Sequence, residues 1–262
     1  MMEGRNPSRL PFDVTVTPPV ADRLEVKRGT RDLIEGLGCD FAAVAPAGSG
    51  ITPEQWRDAY AAAGIELPKG AEVDQQGIVT VKPEKGTGEA YHFRSLHPAM
   101  STIQTLEELQ QFPWGSLAVI ENRAALEDRV NHAHAQNRPV VAWRECTIFE
   151  HAWYLRGMDQ LIYDLADEEP IGEWLLEWFT ERSIADVREL ARVGVDVIGL
   201  GDDVGMQTGL MMSVNFWRTH LKPRLARVID AAREVRGQEL LIRYHSDGDI
   251  SAIIPDLIDI GV

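Results

Sequence analysis

The stretch Leu240–Ile250, LLIRYHSDGDI, decides the fold. It begins with the mostly apolar run Leu240–Tyr244 and turns sharply polar between His245 and Asp249. A short apolar run without strict alternation is typical of a strand that is buried on both faces of a parallel sheet. In parallel α/β barrels, catalytic groups stand directly after such strands. The stretch therefore predicts a core strand that leads into a functional loop.

The same succession of apolar strand and amphipathic helix recurs along the chain, and it predicts a parallel sheet with helical crossovers. Core strands are predicted at Leu10–Thr17, Asp40–Ala45, Pro139–Trp143, Val195–Leu200 and Leu240–Tyr244. Helices are predicted at Pro19–Leu37, from the capping box at Thr52 to about Ala63, from the capping box at Thr105, and at Leu117–Asn137, Phe149–Ala166, Ile171–Val193, Ser213–Val235 and Ile250–Ile260. A hairpin of Gly77–Lys82 and Glu89–Arg94 predicts an excursion from the sheet at about 70–136.

Two architectures fit this pattern, an open doubly wound sheet and a (β/α)₈ barrel. No G-x-G-x-x-G or G-x-x-x-x-G-K-[ST] motif follows a predicted strand, which disfavours the nucleotide-binding doubly wound folds. We therefore predict a single α/β domain over residues 1–262 that forms a (β/α)₈ barrel. Five strands are counted where a barrel needs eight, and Asp259–Val262 looks like the beginning of a sixth. We accordingly expect a barrel truncated after its fifth strand–helix unit.

Composition narrows the class of protein. The 262 residues carry a formal net charge of −15, which disfavours a general affinity for nucleic acid or for an anionic membrane surface. The two cysteines, Cys39 and Cys146, do not make a disulfide framework. The N-terminus has no apolar signal-peptide core, and no run approaches the roughly 20 apolar residues of a membrane span. A cytoplasmic protein is expected.

Polar residues cluster after three predicted strands, and the strand ends of a barrel face one common mouth. Simpler roles remain open for some of them: Asp202 or Asp203 as a helix N-cap, Asp249 as the N-cap of the last helix, and Arg144 in an ordinary ion pair. The candidate catalytic residues are His245, Asp247, Asp203 and Glu145, and the candidate substrate-binding residues are Arg9, Arg144, Asp202, Gln207 and Tyr244.

Several short motifs, taken in order, resemble the uroporphyrinogen decarboxylase superfamily, whose members share a (β/α)₈ barrel. The resemblance covers nearly the whole sequence. Its motifs are PSRLPFD at Pro7–Asp13, LHPAM at Leu96–Met100, FEHAWYLRG at Phe149–Gly157, DDVGMQ at Asp202–Gln207, FWR at Phe216–Arg218 with KPR at Lys222–Arg224, and HSDG at His245–Gly248 leading to Ile260–Val262.

The resemblance implies one of two activities. The decarboxylase carries an arginine-rich segment that grips an eight-carboxylate substrate, and Asp13–Arg23 lacks it, which leaves Arg9, Arg144 and Arg243 as candidate guanidinium groups. The corrinoid-linked methyltransferases of the superfamily use a zinc site of histidine and cysteine ligands. Asp247 stands where the cysteine of their His-x-Cys motif would be, and aspartate is an acceptable, harder zinc ligand.

The sequence therefore predicts corrinoid-linked methyl transfer, with His245 and Asp247 as zinc ligands, joined by Asp203 or Glu145. Metal-free proton transfer by the two carboxylates near His245 is left open. The alternatives are decarboxylation of uroporphyrinogen to coproporphyrinogen, which needs no cofactor, and a non-catalytic corrinoid-binding paralogue. The implied partners are a small-molecule or corrinoid-protein substrate, with the corrinoid as co-substrate, and a homodimer is left open.

Overall fold

The computed structural model describes residues 10–14, 16–44, 52–81, 95–114 and 123–262. None of the helices in these ranges is both long and apolar enough to cross a bilayer. The described strands are β1 (Ala42–Val44), β2 (Glu72–Val73), β3 (Val79–Val81), β4 (Ser95–His97), β5 (Val140–Glu145), β6 (Val197–Gly201), β7 (Gly205–Met206), β8 (Gly209–Leu210) and β9 (Leu241–His245). The described α-helices are α1 (Pro18–Arg28), α2 (Leu33–Leu37), α3 (Pro53–Ala62), α4 (Leu106–Gln111), α5 (Arg123–Ala135), α6 (Phe149–Arg156), α7 (Met158–Ala166), α8 (Pro170–Arg192), α9 (Val214–His220), α10 (Lys222–Arg236) and α11 (Ile254–Asp259), the last preceded by a 3₁₀ turn at Ser251–Ile253.

The main sheet has four parallel strands in the order β1-β5-β6-β9, which is also their order along the chain. The strands numbered between them form two smaller antiparallel sheets, β2-β3-β4 and β7-β8. Its registers align Glu145 with Gly201 and Gly201 with His245, which brings three strand ends to one level. On one face, Ala142, Ile198 and Leu200 are fully buried beneath the helices. The α/β class with a parallel sheet is as predicted.

One predicted strand is wrong. The described part of Leu10–Thr17 forms no strand and does not join the sheet, which has four strands rather than five. The Phe12 amide donates to the Asp40 side chain at 2.7 Å instead of to a neighbouring strand. Alternating β-branched residues favour a strand only where another edge is there to pair with, and that partner is not visible in a local pattern.

Three predicted helices are each divided in two. Gly29, with φ 77°, ends α1 in the left-handed conformation that glycine adopts without strain. Gly157, with φ 94°, separates α6 from α7. Pro223 lies in the first turn of α10, where its missing N–H is tolerated, and so a new helix begins there. Periodicity identified the helical regions, and these residues set their ends.

The helix caps predicted at Thr52, Thr105 and Ser213 are confirmed, whereas the cap predicted at Asp249 is not: Ile253 is the N-cap of α11, and Asp249 accepts the Ser251 amide at 3.0 Å. Thr52 and Thr105 each form a complete capping box, and the Ser213 hydroxyl accepts the Phe216 amide at 3.1 Å. The predicted hairpin is partly described: β3 pairs antiparallel with β4 and with β2, whereas Glu89–Arg94 lies outside the described residues. In the predicted helix at 117–137, residues 117–122 lie outside the description and α5 occupies the rest.

Helix α11 is tied to α9 and α10 by the carboxylate of Asp256. Arg218 and Lys222 both bind it, the latter at 2.9 Å, and these cations lower the pKa of Asp256 to about 2. A lowered carboxyl pKa contributes stability above the unfolded value near 4 that is lost as the pH falls toward 2. We expect Asp256→Asn to be less stable than wild type at pH 7 and to converge with it near pH 2 in urea melts. A constant difference across that range would contradict this linkage.

Candidate functional site

Three side chains that can bind a cation meet at the carboxyl ends of β6 and β9. His245 ends β9, Asp247 follows it, and Asp203 follows β6. The His245 Nε2 lies 3.7 Å from Asp203 Oδ1 and 3.6 Å from Asp247 Oδ1. One ligand atom from each residue falls within 4.8 Å of the others. His245 is 46% exposed, so the cluster is open to solvent.

The two loops that carry these residues are joined by three hydrogen bonds donated by backbone amides. The Asp247 amide donates to Asp203 Oδ1 at 2.7 Å, and the Val204 amide donates to the Ser246 hydroxyl at 3.0 Å. Further along the same loops, the Asp249 amide donates to the Met206 carbonyl at 2.7 Å. These bonds fix the loop after β6 against the loop after β9, and so they bring Asp203 and Asp247 to the same imidazole.

Glycine makes this close approach of the two loops feasible. Gly248 has φ 78°, and a Cβ there would lie 2.4 Å from the Gly205 carbonyl carbon. We expect Gly248→Ala to force the loops apart and to reduce the affinity of the cluster for a divalent cation by at least about tenfold. Gly70→Ala is the matched control, because Gly70 has φ 76° with nothing within 4 Å of its Cβ position. Equal cation affinity of the two variants, measured by competition with a chelator, would contradict this role for Gly248.

A second layer of carboxyl groups lies beneath the cluster. Asp202 is buried and accepts the backbone amides of Ile148 and Glu150, at 3.1 and 2.9 Å, so it holds the first turn of α6. Burial raises the pKa of Asp202 to about 7. Glu150 is also buried, which raises its pKa; its carboxylate accepts the Asp203 amide at 3.2 Å and the Tyr154 hydroxyl. The predicted N-cap role of Asp202 is wrong: Ile148 is the N-cap residue of α6, and Asp202 binds the first turn of that helix from the loop after β6.

The remaining predicted residues are placed as follows. The Tyr244 hydroxyl donates to the Asp202 carbonyl at 3.3 Å, so it supports the second layer. Arg144 is buried, and its guanidinium donates to Asp186 of α8 at 2.8 Å and to the backbone carbonyl of Glu145 at 2.9 Å. The predicted alternative of an ion pair therefore applies to Arg144, with Asp186 as the partner rather than Glu145.

Glu145 is exposed at the end of β5, level with His245 in the sheet but outside the three-residue cluster. Gln207 is exposed at the turn between β7 and β8. Arg9 lies outside the described residues. Arg243 lies over the Trp143 ring, 4.6 Å from its centroid, and its side chain is 55% exposed.

Two site residues were missed by the sequence analysis, Glu150 and Tyr154. Their spacing of four residues on α6 places them on one helix face, and this is the signal that was available. Cys146 was not predicted as a ligand, and burial raises the pKa of its thiol, which keeps it protonated at neutral pH. It is not a member of the three-residue cluster.

The cluster fits a zinc ion chemically. Imidazole nitrogen and carboxylate oxygen both bind zinc, at about 2.0–2.2 Å. Two tetrahedral ligands at that range stand about 3.3 Å apart, close to the 3.6 and 3.7 Å observed between His245 and the two carboxylates. Three protein ligands leave a fourth position for a substrate atom, which is the arrangement of catalytic rather than structural zinc.

Comparisons with known proteins add little to what the geometry of the site indicates. No protein-family model matches the sequence, and no curated protein matches it. Among solved structures, the chain is similar to a methyltransferase from Methanosarcina mazei, with a TM-score of 0.49 and 18% sequence identity. The match covers 87% of this chain and 58% of that one, so the chain spans less than two thirds of the length of this structure.

Proposed function

We propose that this protein is an enzyme that transfers a methyl group between a corrinoid and a thiol, using a metal site formed by His245, Asp203 and Asp247. The single observation that carries the proposal is the meeting of these three side chains at neighbouring strand ends. His245 ends a parallel strand, and Asp203 and Asp247 lie in the loops that follow two such strands, where α/β enzymes position their reactive groups.

We propose that the four-stranded parallel sheet belongs to a (β/α)₈ barrel. Support comes from the sheet order β1-β5-β6-β9, in which each strand pairs with the next strand of the same sheet along the chain. A doubly wound sheet reverses its strand order at a switch point, and the described strands contain no such reversal. Members of the uroporphyrinogen decarboxylase superfamily, which the sequence motifs resemble, share this barrel. The sheet order and the motifs therefore favour the same architecture.

The residues of the cluster have distinct tasks in this proposal. When bound, zinc supplies a Lewis acid that favours the thiolate form of an acceptor thiol. His245 and the two aspartates hold the cation and leave one position to the acceptor. The two carboxylates and the imidazole would balance the charge of a divalent ion. In the transfer, the thiol proton would pass to solvent, the sulfur would form a bond to the methyl carbon, and the cobalt–carbon bond would break with its electron pair left on the corrinoid.

Decarboxylation of a polycarboxylate is less well supported. The Arg144 guanidinium forms an ion pair with Asp186, and the Arg243 guanidinium lies over the Trp143 ring, so both already have partners within the protein. The described mouth of the sheet is lined by carboxylates, which repel a substrate that bears many negative charges. A corrinoid-binding protein without turnover stays the third possibility, and binding assays separate it from an enzyme.

The proposal is tested by supplying methylcobalamin and a small thiol to the zinc-loaded protein and following the cobalamin spectrum. We expect demethylation of the corrinoid that depends on both the thiol and zinc. A parallel incubation with uroporphyrinogen should yield no coproporphyrinogen. Tight corrinoid binding without demethylation would favour the non-catalytic alternative, and coproporphyrinogen formation would favour the decarboxylase.

A further inference from the structure

We infer that Glu150 is a positioning residue that sets the place of Asp203 in the proposed metal site; this inference rests on that site. Glu150 touches neither a substrate nor the cluster's imidazole in the contacts described. It acts through the backbone of Asp203, whose amide donates to Glu150 Oε2 at 3.2 Å.

The contact is one half of a reciprocal arrangement between α6 and the loop after β6. Asp202 uses its carboxylate to accept the Glu150 amide at 2.9 Å, and Glu150 uses its carboxylate to accept the Asp203 amide. The same reciprocal pattern of side-chain-to-amide hydrogen bonds forms a capping box within one helix, and here it joins segments more than fifty residues apart. Because each carboxylate satisfies the other segment's backbone, neither segment can shift alone without leaving a buried polar group unpaired.

The arrangement extends from α6 to the second ligand loop. Asp203 Oδ1 accepts the Asp247 amide at 2.7 Å, so the Asp203 oxygen that lies 3.7 Å from His245 Nε2 also anchors Asp247. A displacement of Asp203 therefore moves both carboxylate ligands. The Tyr154 hydroxyl, which donates to the other oxygen of Glu150, restricts the rotation of that carboxylate.

The burial of Glu150 supports a positioning role, because a buried carboxylate needs strong hydrogen-bond partners. Only 8% of the residue is exposed, although a carboxylate is costly to bury without strong partners. The Asp203 amide and the Tyr154 hydroxyl are two of its partners, and the Cys146 side chain is a third. Supporting groups of this kind change metal affinity by about 10- to 100-fold when they are removed.

The test compares zinc affinity in Glu150→Ala, Glu150→Gln and wild type, measured by chelator competition well below each melting temperature. We expect Glu150→Ala to lose about 10- to 100-fold in affinity and Glu150→Gln to recover most of it, since the amide oxygen still accepts the Asp203 N–H. Glu189→Ala is the control, because Glu189 binds Arg123 and Arg192 at the end of α8 that precedes β6. Wild-type affinity in Glu150→Ala would overturn the inference.

Hydrogen exchange separates failure of this inference from failure of the proposed function. In metal-free protein, Glu150→Ala should increase amide exchange at Asp203 and Asp247, and Glu189→Ala should not. If wild type binds no zinc, the proposed function fails and the exchange data still decide whether Glu150 positions Asp203. Unchanged exchange at both amides would overturn the positioning role.

Discussion

A His245→Ala variant should lose at least about a hundredfold in methyl transfer to a thiol while it melts almost as wild type does. The activity loss follows because His245 is the one nitrogen donor of the cluster and lies between both carboxylates. With the imidazole gone, two exposed carboxylates remain, and their affinity for zinc is poor compared with a site that contains histidine. Stability should change by no more than about 0.5 kcal/mol, because the side chain is 46% exposed.

His132→Ala is the matched control for this variant. His132 is an exposed histidine on α5, outside the cluster, and its described partner is the side chain of Gln136. The control should keep full activity, and both variants should show wild-type melting. Wild-type turnover in His245→Ala would remove His245 from the reaction. A collapse of its melting temperature would instead assign the histidine a structural role.

The largest loss of stability is expected at a buried ion pair outside the cluster. The Arg156 and Asp164 side chains are 4% and 5% exposed, and Arg156 Nε donates to Asp164 Oδ2 at 2.7 Å. Arg156 also donates to the Met100 and Ile103 carbonyls, at 3.0 and 2.6 Å, and thereby fastens the segment after β4 to α6. We expect Asp164→Ala to cost about 3–5 kcal/mol of unfolding free energy, because it leaves a guanidinium buried without its counter-ion.

Asp159→Ala on the same helix provides the comparison. Asp159 is exposed in the first turn of α7, so its removal should cost only the few tenths of a kcal/mol of a surface charge at a helix N-terminus. Urea unfolding measures both. A loss below about 1 kcal/mol for Asp164→Ala would mean that the interior relaxes or admits water at Arg156. Replacing the pair together by Arg156→Met and Asp164→Leu should cost less than Asp164→Ala alone.

Features that depend on a few neighbouring residues were predictable from the sequence. The capping boxes at Thr52 and Thr105 are confirmed because cap and acceptor lie three residues apart on the chain. The parallel sheet was predictable because buried strands and crossover helices alternate. The meeting of His245, Asp203 and Asp247 follows from that topology, since parallel neighbours end at one edge.

Features that depend on distant partners were not predictable in the same way. Leu10–Thr17 has a strand-like pattern, but its environment in the fold directs the Phe12 amide to Asp40. Arg144 follows the same rule: it stands near a strand end in sequence, yet a carboxylate on α8 accepts its guanidinium. Glu150 lies on a helix whose apolar neighbours dominate its pattern, and only the folded chain brings it to Asp203.

The zinc content of the purified protein tests the central claim most directly. Elemental analysis should give one zinc per chain in wild type after equilibration with the metal and removal of the excess, and close to none in His245→Ala treated identically. That outcome would place the metal on the cluster of His245, Asp203 and Asp247. No retained zinc in wild type, or equal zinc in both proteins, would contradict a metal site at these strand ends.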